Sequence, residues 1–356
     1  MLQAERTQWV KQKDPSQGAG IRAGSGKADI MKKLAVCFII LVMFGTMLLA
    51  GCSAEPAVAE ETARTTKLTA HFATVEEGKQ LMRERTLFHD QIAEGTLDFF
   101  LQRKGGTLAE YIDYSADQVM EFTPEEEQRV NDTLAWLQNT LERHNLQLPD
   151  PGEITFVKST CQEALGSAGY TSGGAIFLGW FTYMPEYYTD DMFRELVVHE
   201  LFHCLSRQFP EFRQAMYSLI HFMILDQDIE IPEEIRERII ANPDVEHHDS
   251  IAAFTINGEK KDCYLVFLTD SVFEKEGDTF FQGMYSGVVP LDGSAVYRVD
   301  EVDDFFQVVG ENTGYTEDPE EAMATNFAYA ITCLDAGYAD FSSPEILKGI
   351  VDQLKK

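Results

Sequence analysis

The chain has little positive charge. Its 356 residues include 29 lysines and arginines against 59 aspartates and glutamates, a formal net charge of -30 at pH 7. Residues 1 to 51 carry seven of the basic and three of the acidic side chains, so the remainder has a formal net charge of -34. Because nucleic acid and anionic lipid attract basic surfaces, this balance argues against both as direct partners. A solvated acidic surface explains the charge, and a basic substrate is compatible with it.

Cysteine is also scarce, with six residues and no C-x-x-C pair. A zinc site built from thiolates is therefore not expected. Cys37 and Cys52 belong to the N-terminal segment described next. The other four cysteines are Cys161, Cys204, Cys263 and Cys333. The sequence does not assign a disulfide among these four.

The sequence has one long apolar run, from Leu34 to Met47, and it is short for a membrane-spanning helix. Met31-Lys32-Lys33 precedes it as a natural start and basic flank, and small residues follow it, as in a secretory signal. Leu49 to Cys52 (L-A-G-C) resembles the lipobox of bacterial lipoproteins, which implies cleavage before Cys52 and a lipid on its thiol. An uncleaved membrane anchor is the alternative. Both interpretations predict an extracytoplasmic chain that is anchored to the bacterial cell membrane.

The pattern along the chain predicts five segments, and no internal repeat is visible. Residues 1–30 are interpreted as a non-native leader and residues 31–51 as the signal peptide. Residues 52–70 are small and acidic, which predicts a disordered tether. Residues 71–150 carry helical patterns and form an N-terminal helical part, and residues 151–356 form the catalytic domain.

Local signals predict individual elements. One helix is expected over residues 74–103, because Thr74 and the glutamate three residues later form a capping box. Strands are expected over residues 154–158 and 175–179, with a turn before the second. A β-hairpin is expected around Asn257-Gly258.

The most informative stretch runs from Arg194 to His203 and contains H-E-x-x-H. Residues four apart share one face of a helix, so His199 and His203 can present two imidazoles to one metal ion. Glu200 lies beside the first histidine, where it can reach a metal-bound water. The flanking residues make the helix apolar on most sides, which predicts that it is buried. This combination is typical of a zinc metallopeptidase.

A catalytic zinc site uses three protein ligands, and H-E-x-x-H supplies two. The metzincin continuation is absent, because Cys204-Leu205-Ser206 follows His203 with neither the glycine nor the third histidine at the required spacing. The best source of another ligand is the stretch Asp318 to Phe327 (D-P-E-E-A-M-A-T-N-F), in which acidic residues open an otherwise apolar helix. Glu320 and Glu321 are both candidates.

Four segments resemble a family of poorly characterised bacterial gluzincin-like metallopeptidases, over about residues 150 to 335. They are His199 to Arg207 (H-E-L-F-H-C-L-S-R), the next helix with Tyr217, the Asn242-Pro243-Asp244 turn, and P-E-E-x-x-A-x-N-F from Pro319. The resemblance implies that Glu321 is the third zinc ligand and that Glu320 is its solvent-side neighbour. Gluzincins of the thermolysin type often carry an aspartate four residues after the ligand, where it orients a zinc histidine. Thr325 holds that position here, and Asn326 can share the task.

The expected mechanism is metal-assisted peptide hydrolysis with Zn2+ as the cofactor. Glu200 is the expected general base, which takes a proton from water and passes it to the leaving amine. The resemblance makes Tyr315 the first candidate for the donor that stabilises the oxyanion, because a tyrosine shortly upstream of the glutamate serves this role in some gluzincins. Tyr217 and His221 are alternatives. Packing or a core hydrogen bond is the simpler explanation for each of the three. In zinc peptidases the strand before the H-E-x-x-H helix borders the cleft and pairs with substrate, a role that chain order gives to residues 175–179.

We therefore expect an α+β fold, with a zincin-like metallopeptidase domain after the N-terminal helical part. The expected activity is that of a membrane-tethered zinc peptidase acting on a peptide or protein substrate. One alternative is a non-catalytic, zinc-containing lipoprotein that acts as a binding module. Glu200 argues against it, because a structural zinc site needs no general base. The other alternative is a zinc amidase acting on cell-wall peptide, with the same site chemistry.

Overall fold

A computed structural model describes residues 67 to 355 of the chain. The expected leader, the signal peptide, Cys52 and most of the expected tether lie outside the described residues. Within residues 67 to 355, no helix is both long enough and apolar enough to cross a membrane.

The described residues form a mixed α+β fold with two five-stranded sheets. The first sheet contains β1 (Thr69–Phe72), β2 (Val119–Met120), β3 (Glu153–Ser159), β4 (Gly169–Ser172) and β5 (Ala175–Gly179). The second contains β6 (Met223–Ile224), β7 (Ser250–Ile256), β8 (Glu259–Thr269), β9 (Met284–Pro290) and β10 (Tyr297–Arg298). The helices are α1 (Val75–Arg83), α2 (Leu87–Gln91), α3 (Glu94–Leu101), α4 (Leu108–Ala116), α5 (Pro124–Arg143), α6 (Asp190–Gln208), α7 (Pro210–Ser218), α8 (Glu233–Arg236), α9 (Phe305–Val309), α10 (Pro319–Thr332) and α11 (Pro344–Leu354).

The first sheet has the order β1-β3-β5-β4, and β2 pairs with β3. β1, β3 and β5 are parallel, whereas β4 runs antiparallel to β5. The predicted turn is confined to Gly173-Gly174, whose positive φ angles of 55° and 81° reverse the chain into a tight hairpin. The expectation that residues 175–179 form the strand that pairs with substrate was therefore wrong. β5 lies inside the sheet, and β4 forms its edge.

Residues 71 to 150 are mostly helical, but they also supply the end of β1 and all of β2. The single helix expected over residues 74–103 was wrong, because three shorter helices occupy that stretch. Glu84 leaves α1 in an extended conformation with ψ of 126°. Thr86 is the N-cap of α2, and its backbone N–H donates to Nδ1 of His89 at 3.0 Å. This second N-cap provides a local alternative to continuing the first helix.

The helix that carries H-E-x-x-H, α6, lies in the centre of the main core, as its apolar pattern predicted. It packs most extensively against α10, and it also contacts β4, β5, α5 and α7. Apolar side chains such as Phe202 and Phe327 fill the α6–α10 interface, where their ring centroids lie 5.4 Å apart. Burial of these large side chains fixes the two helices side by side.

The second sheet is antiparallel throughout. The hairpin expected around Asn257-Gly258 is confirmed, because β7 pairs with β8 and both turn residues have positive φ angles of 53° and 79°. The long segment between α6 and α10 includes this sheet. It explains why the two helices are far apart in sequence and adjacent in space.

Candidate metal centre

Three side chains converge between α6 and α10. Nε2 of His199 lies 3.1 Å from Oε2 of Glu321, and Nε2 of His203 lies 3.8 Å from the same oxygen. One ligand atom from each of these three residues lies within 4.8 Å of the other two. The α6 spacing of four residues stacks the imidazoles on one face, and the start of α10 brings the carboxylate opposite them.

The donor set fits a tetrahedral zinc site. Zinc bonds of about 2.0–2.2 Å to nitrogen and oxygen place tetrahedral ligand atoms about 3.4 Å apart, close to the two distances above. His203 is fully buried, and its Nε2 has no hydrogen-bond partner among the described residues. A buried polar atom without a partner is costly. A cation between His203, His199 and Glu321 would satisfy it.

Glu320 contacts the ring nitrogen of His203 that does not face Glu321. Its Oε1 lies 2.9 Å from Nδ1 of His203 and also accepts from the Ser206 hydroxyl, while its Oε2 accepts from the Tyr217 hydroxyl at 2.5 Å. Burial raises the pKa of Glu320, but the hydrogen bond and charge of His203, the charge of Arg213 and the hydrogen bond from Ser206 together outweigh it, so the pKa is lowered. Nδ1 is thereby engaged, and Nε2 is directed towards Glu321.

Two expectations about this region were wrong. Glu320 is not a solvent-side neighbour, because it is buried against α6 and α7. Glu320, rather than Thr325 or Asn326, contacts and orients a histidine. Asn326 instead donates to the carbonyl of Ala322 and accepts from Asn312, within and beside α10. Thr325 makes no hydrogen bond to either histidine among the described contacts.

Glu200 is buried on the neighbouring face of α6. Its Oε2 accepts a hydrogen bond from Oγ1 of Thr171 at 3.0 Å, which ties it to edge strand β4. Burial raises its pKa well above the usual range, and the carboxylate of Asp244 adds to the effect. Gly169, also on β4, leaves room beside it, since a Cβ there would lie 3.1 Å from Oε1 of Glu200. A carboxyl group with a raised pKa beside a metal site suits proton transfer.

The Asn242-Pro243-Asp244 turn lies against the site, a role that sequence analysis missed. Arg207 of α6 holds the turn, because its Nη2 donates to the carbonyl of Pro243 at 2.7 Å. Nδ2 of Asn242 donates to Oε1 of Glu321 at 2.5 Å. Oδ1 of Asp244 accepts from the backbone N–H of Thr171 at 2.6 Å and lies 3.9 Å from Nε2 of His203. Burial raises the pKa of Asp244 to about 6. The Asn-Pro-Asp sequence predicted a turn, but a local pattern does not indicate what the turn contacts.

The three candidate oxyanion donors lie in different places relative to the site. Tyr315 lies at the site, and its hydroxyl donates to Oε1 of Glu321 at 3.2 Å. Tyr217 lies behind the site on Glu320, so it supports a positioning carboxylate. His221 is exposed in the turn after α7, and no described contact joins it to the site residues.

His247-His248 lies in an acidic loop, a context that is typical of solvated side chains. His248 is instead largely buried, and its Nδ1 lies 3.9 Å from Oδ2 of Asp318. Burial lowers its pKa to about 4. All four cysteines of the described region are free thiols.

Comparison with protein-family models, with curated proteins and with solved structures finds no match.

Proposed function

We propose that this chain is a zinc-dependent metallopeptidase with a zincin-like domain, in which His199, His203 and Glu321 are the metal ligands. The observation that carries the proposal is the convergence of these side chains around the buried, unpartnered Nε2 of His203. Glu200 adjoins them and distinguishes the site from a purely structural one.

Each residue then has a defined task. A zinc ion held by the three ligands would supply Lewis acidity to the scissile carbonyl and to a water molecule. Glu200 takes a proton from that water and delivers it to the leaving amine. Its contact with Thr171 holds the carboxylate in place between these two transfers. The Tyr315 hydroxyl, 3.2 Å from Glu321, is the donor available to the oxyanion.

Edge strand β4 provides a track for the substrate backbone. In an antiparallel pair, alternate residues turn their N–H and C=O groups away from the partner strand. Thr171 does so, but its N–H already donates to Asp244 and is not free for a substrate. Gly169 lies two residues away with the same orientation, beside Glu200. A peptide that adds to this edge would bring a backbone carbonyl to the site.

The proposed setting is outside the cytoplasm. A lipid on Cys52 would anchor the chain to the membrane, and the acidic surface would keep the domain off anionic headgroups. The proposed substrates are therefore peptides or proteins that reach the cell surface.

The first test is metal content of the purified chain after zinc loading, in wild type and in the variants Glu321→Ala and Glu200→Gln. We expect one zinc per wild-type chain, loss of zinc in Glu321→Ala, and retained zinc without casein or peptide cleavage in Glu200→Gln. Glu345→Ala, an exposed acid in the first turn of α11, is the matched control.

The outcomes separate the alternatives. Absence of zinc in the wild type would refute the proposal. Bound zinc with no cleavage of casein, short peptides or peptidoglycan would favour a binding module. Cleavage of peptidoglycan alone would indicate a cell-wall amidase.

A further inference from the structure

A cavity of about 170 Å³ lies beside the metal centre. Gly169, Asn242, Asp244 and Tyr315 border it on the side of the site. These residues also touch the ligand and base residues, as the distances above show. A substrate side chain next to the scissile bond could therefore enter this cavity.

The cavity has aromatic walls and an acidic lining. Its rings include Phe88, Phe100, Tyr111, Tyr170, Phe177 and Phe280. Three carboxyl groups line it, those of Glu163, Asp244 and Glu317, and no described lysine or arginine does. His89 also lines it, but burial lowers the pKa of His89, and its Nδ1 accepts the N–H of Thr86. The lining therefore offers three carboxyl groups and no fixed cation. Burial raises the pKa of all three, and a cation bound beside them would oppose that rise by favouring the ionised form.

Glu163 is the most buried of these three groups. It is 1% exposed and lies in a short 3-10 turn before β4. Its Oε1 accepts from the hydroxyls of Tyr170 at 2.7 Å and Ser159 at 2.8 Å. Its Oε2 has no hydrogen-bond partner among the described residues. A buried carboxylate with one free oxygen needs a donor or a cation.

We propose that this cavity is a specificity pocket for a lysine or arginine side chain of the substrate. The aliphatic stem would lie along the aromatic walls, and the cationic end would reach Glu163. Aromatic faces attract cations, which adds to the ion pair. A neutral apolar side chain of the same length would contact the aromatic walls but would leave Oε2 of Glu163 unpaired. The pocket therefore discriminates against it. This inference rests on the proposed peptidase function for the identity of the ligand, but the pocket itself needs no metal.

The first experiment measures binding without metal. Ligand-observed NMR on the metal-free purified chain compares n-pentylamine with 1-pentanol, which has the same length and no charge. We expect the amine to bind at least about tenfold more tightly than the alcohol, and Glu163→Gln to remove that preference. The control is Glu259→Gln, an exposed acid of the β7–β8 hairpin that lies outside the cavity lining.

The wild-type comparison is decisive even when Glu163→Gln fails to fold, because it needs no variant. Equal affinity of amine and alcohol would overturn the proposal. Loss of the preference in Glu259→Gln as well as in Glu163→Gln would also overturn it, since the effect would then be general surface charge.

A peptide library digested by the zinc-loaded chain separates this inference from the proposed function. Metal-dependent cleavage with lysine or arginine enriched beside the scissile bond supports both. Metal-dependent cleavage without that enrichment overturns the pocket and leaves the peptidase standing. Amine preference in a chain that neither binds zinc nor cleaves peptides supports the pocket and refutes the peptidase.

Discussion

Replacing Glu320 by glutamine tests whether this residue positions a ligand or is itself one. The side chain lies behind His203 and accepts hydrogen bonds from His203, Ser206 and Tyr217. Glutamine keeps the shape but removes the charge, and it replaces one acceptor oxygen by a donor NH2. Because all three neighbours donate to the carboxylate, at least one donor then faces another donor.

The expected magnitude follows from that arrangement. Loss of a carboxylate that orients a metal-bound histidine costs about 10- to 100-fold in metal affinity, or about 1.4–2.7 kcal/mol. The metal-free chain loses a charged hydrogen bond as well, worth about 1.5–3 kcal/mol of unfolding free energy. Glu321→Gln removes a ligand, so its zinc affinity should fall much further than that of Glu320→Gln.

The assay is competition for zinc against a chromophoric chelator, followed by the visible spectrum of the cobalt-loaded chain to report the ligand set. Glu320→Gln should bind zinc more weakly with an unchanged cobalt spectrum. Ser206→Ala, which removes one donor to the same carboxylate, is the milder control. If Glu320→Gln abolished binding while Glu321→Gln stayed within tenfold of wild type, the assignment of the two glutamates would be reversed.

Three further predictions concern separate positions. Gly169→Ala places a Cβ 3.1 Å from Oε1 of Glu200 and 2.9 Å from Leu178. The added methyl group should displace the carboxylate, so kcat should fall roughly 10- to 100-fold with zinc content unchanged. Unaltered kinetics would show that Glu200 has room to move. Tyr315→Phe should lower kcat roughly 100-fold without loss of zinc, and a normal kcat would remove this hydroxyl from the mechanism. Burial lowers the pKa of His248 to about 4, so between pH 6.5 and 4 the unfolded chain takes up the proton first, and stability falls as the pH falls. The loss attributable to His248 is about 2.5 kcal/mol at pH 4.5; urea unfolding of His248→Phe should show less acid sensitivity than wild type, and an equal acid loss would place the effect elsewhere.

Local patterns predicted the parts of the site that lie on one helix. The spacing of His199 and His203 places both on one face of α6 by helical geometry alone, and the apolar neighbours indicated burial. Glu321 lies 122 residues from His199, a separation that no local pattern spans. The acidic start of an otherwise apolar helix made Glu320 and Glu321 candidates, and the resemblance to gluzincins selected Glu321.

The predictions that were wrong concern positions that tertiary packing determines. Glu320 and Glu321 are adjacent, so they point about 100° apart around α10. Only the rotation of α10 against α6 determines which of them lies near the Nε2 atoms of the two histidines and which one contacts Nδ1 of His203. β4 and β5 form one hairpin, and pairing of β5 with β3 determines which strand becomes the edge. His248 follows another histidine in an acidic loop, a context typical of solvent, yet tertiary packing buries it.

The distance in sequence between the two halves of the metal centre also has a consequence for the newly made chain. A ribosome adds about 5–20 residues per second, so roughly 6 to 24 seconds separate the synthesis of His199 from that of Glu321. During that interval the nascent chain holds two histidines and no third ligand. On the proposed assignment, a fragment that ends before α10 has Glu200 and both histidines but lacks Glu321, so we expect premature termination to yield an inactive product.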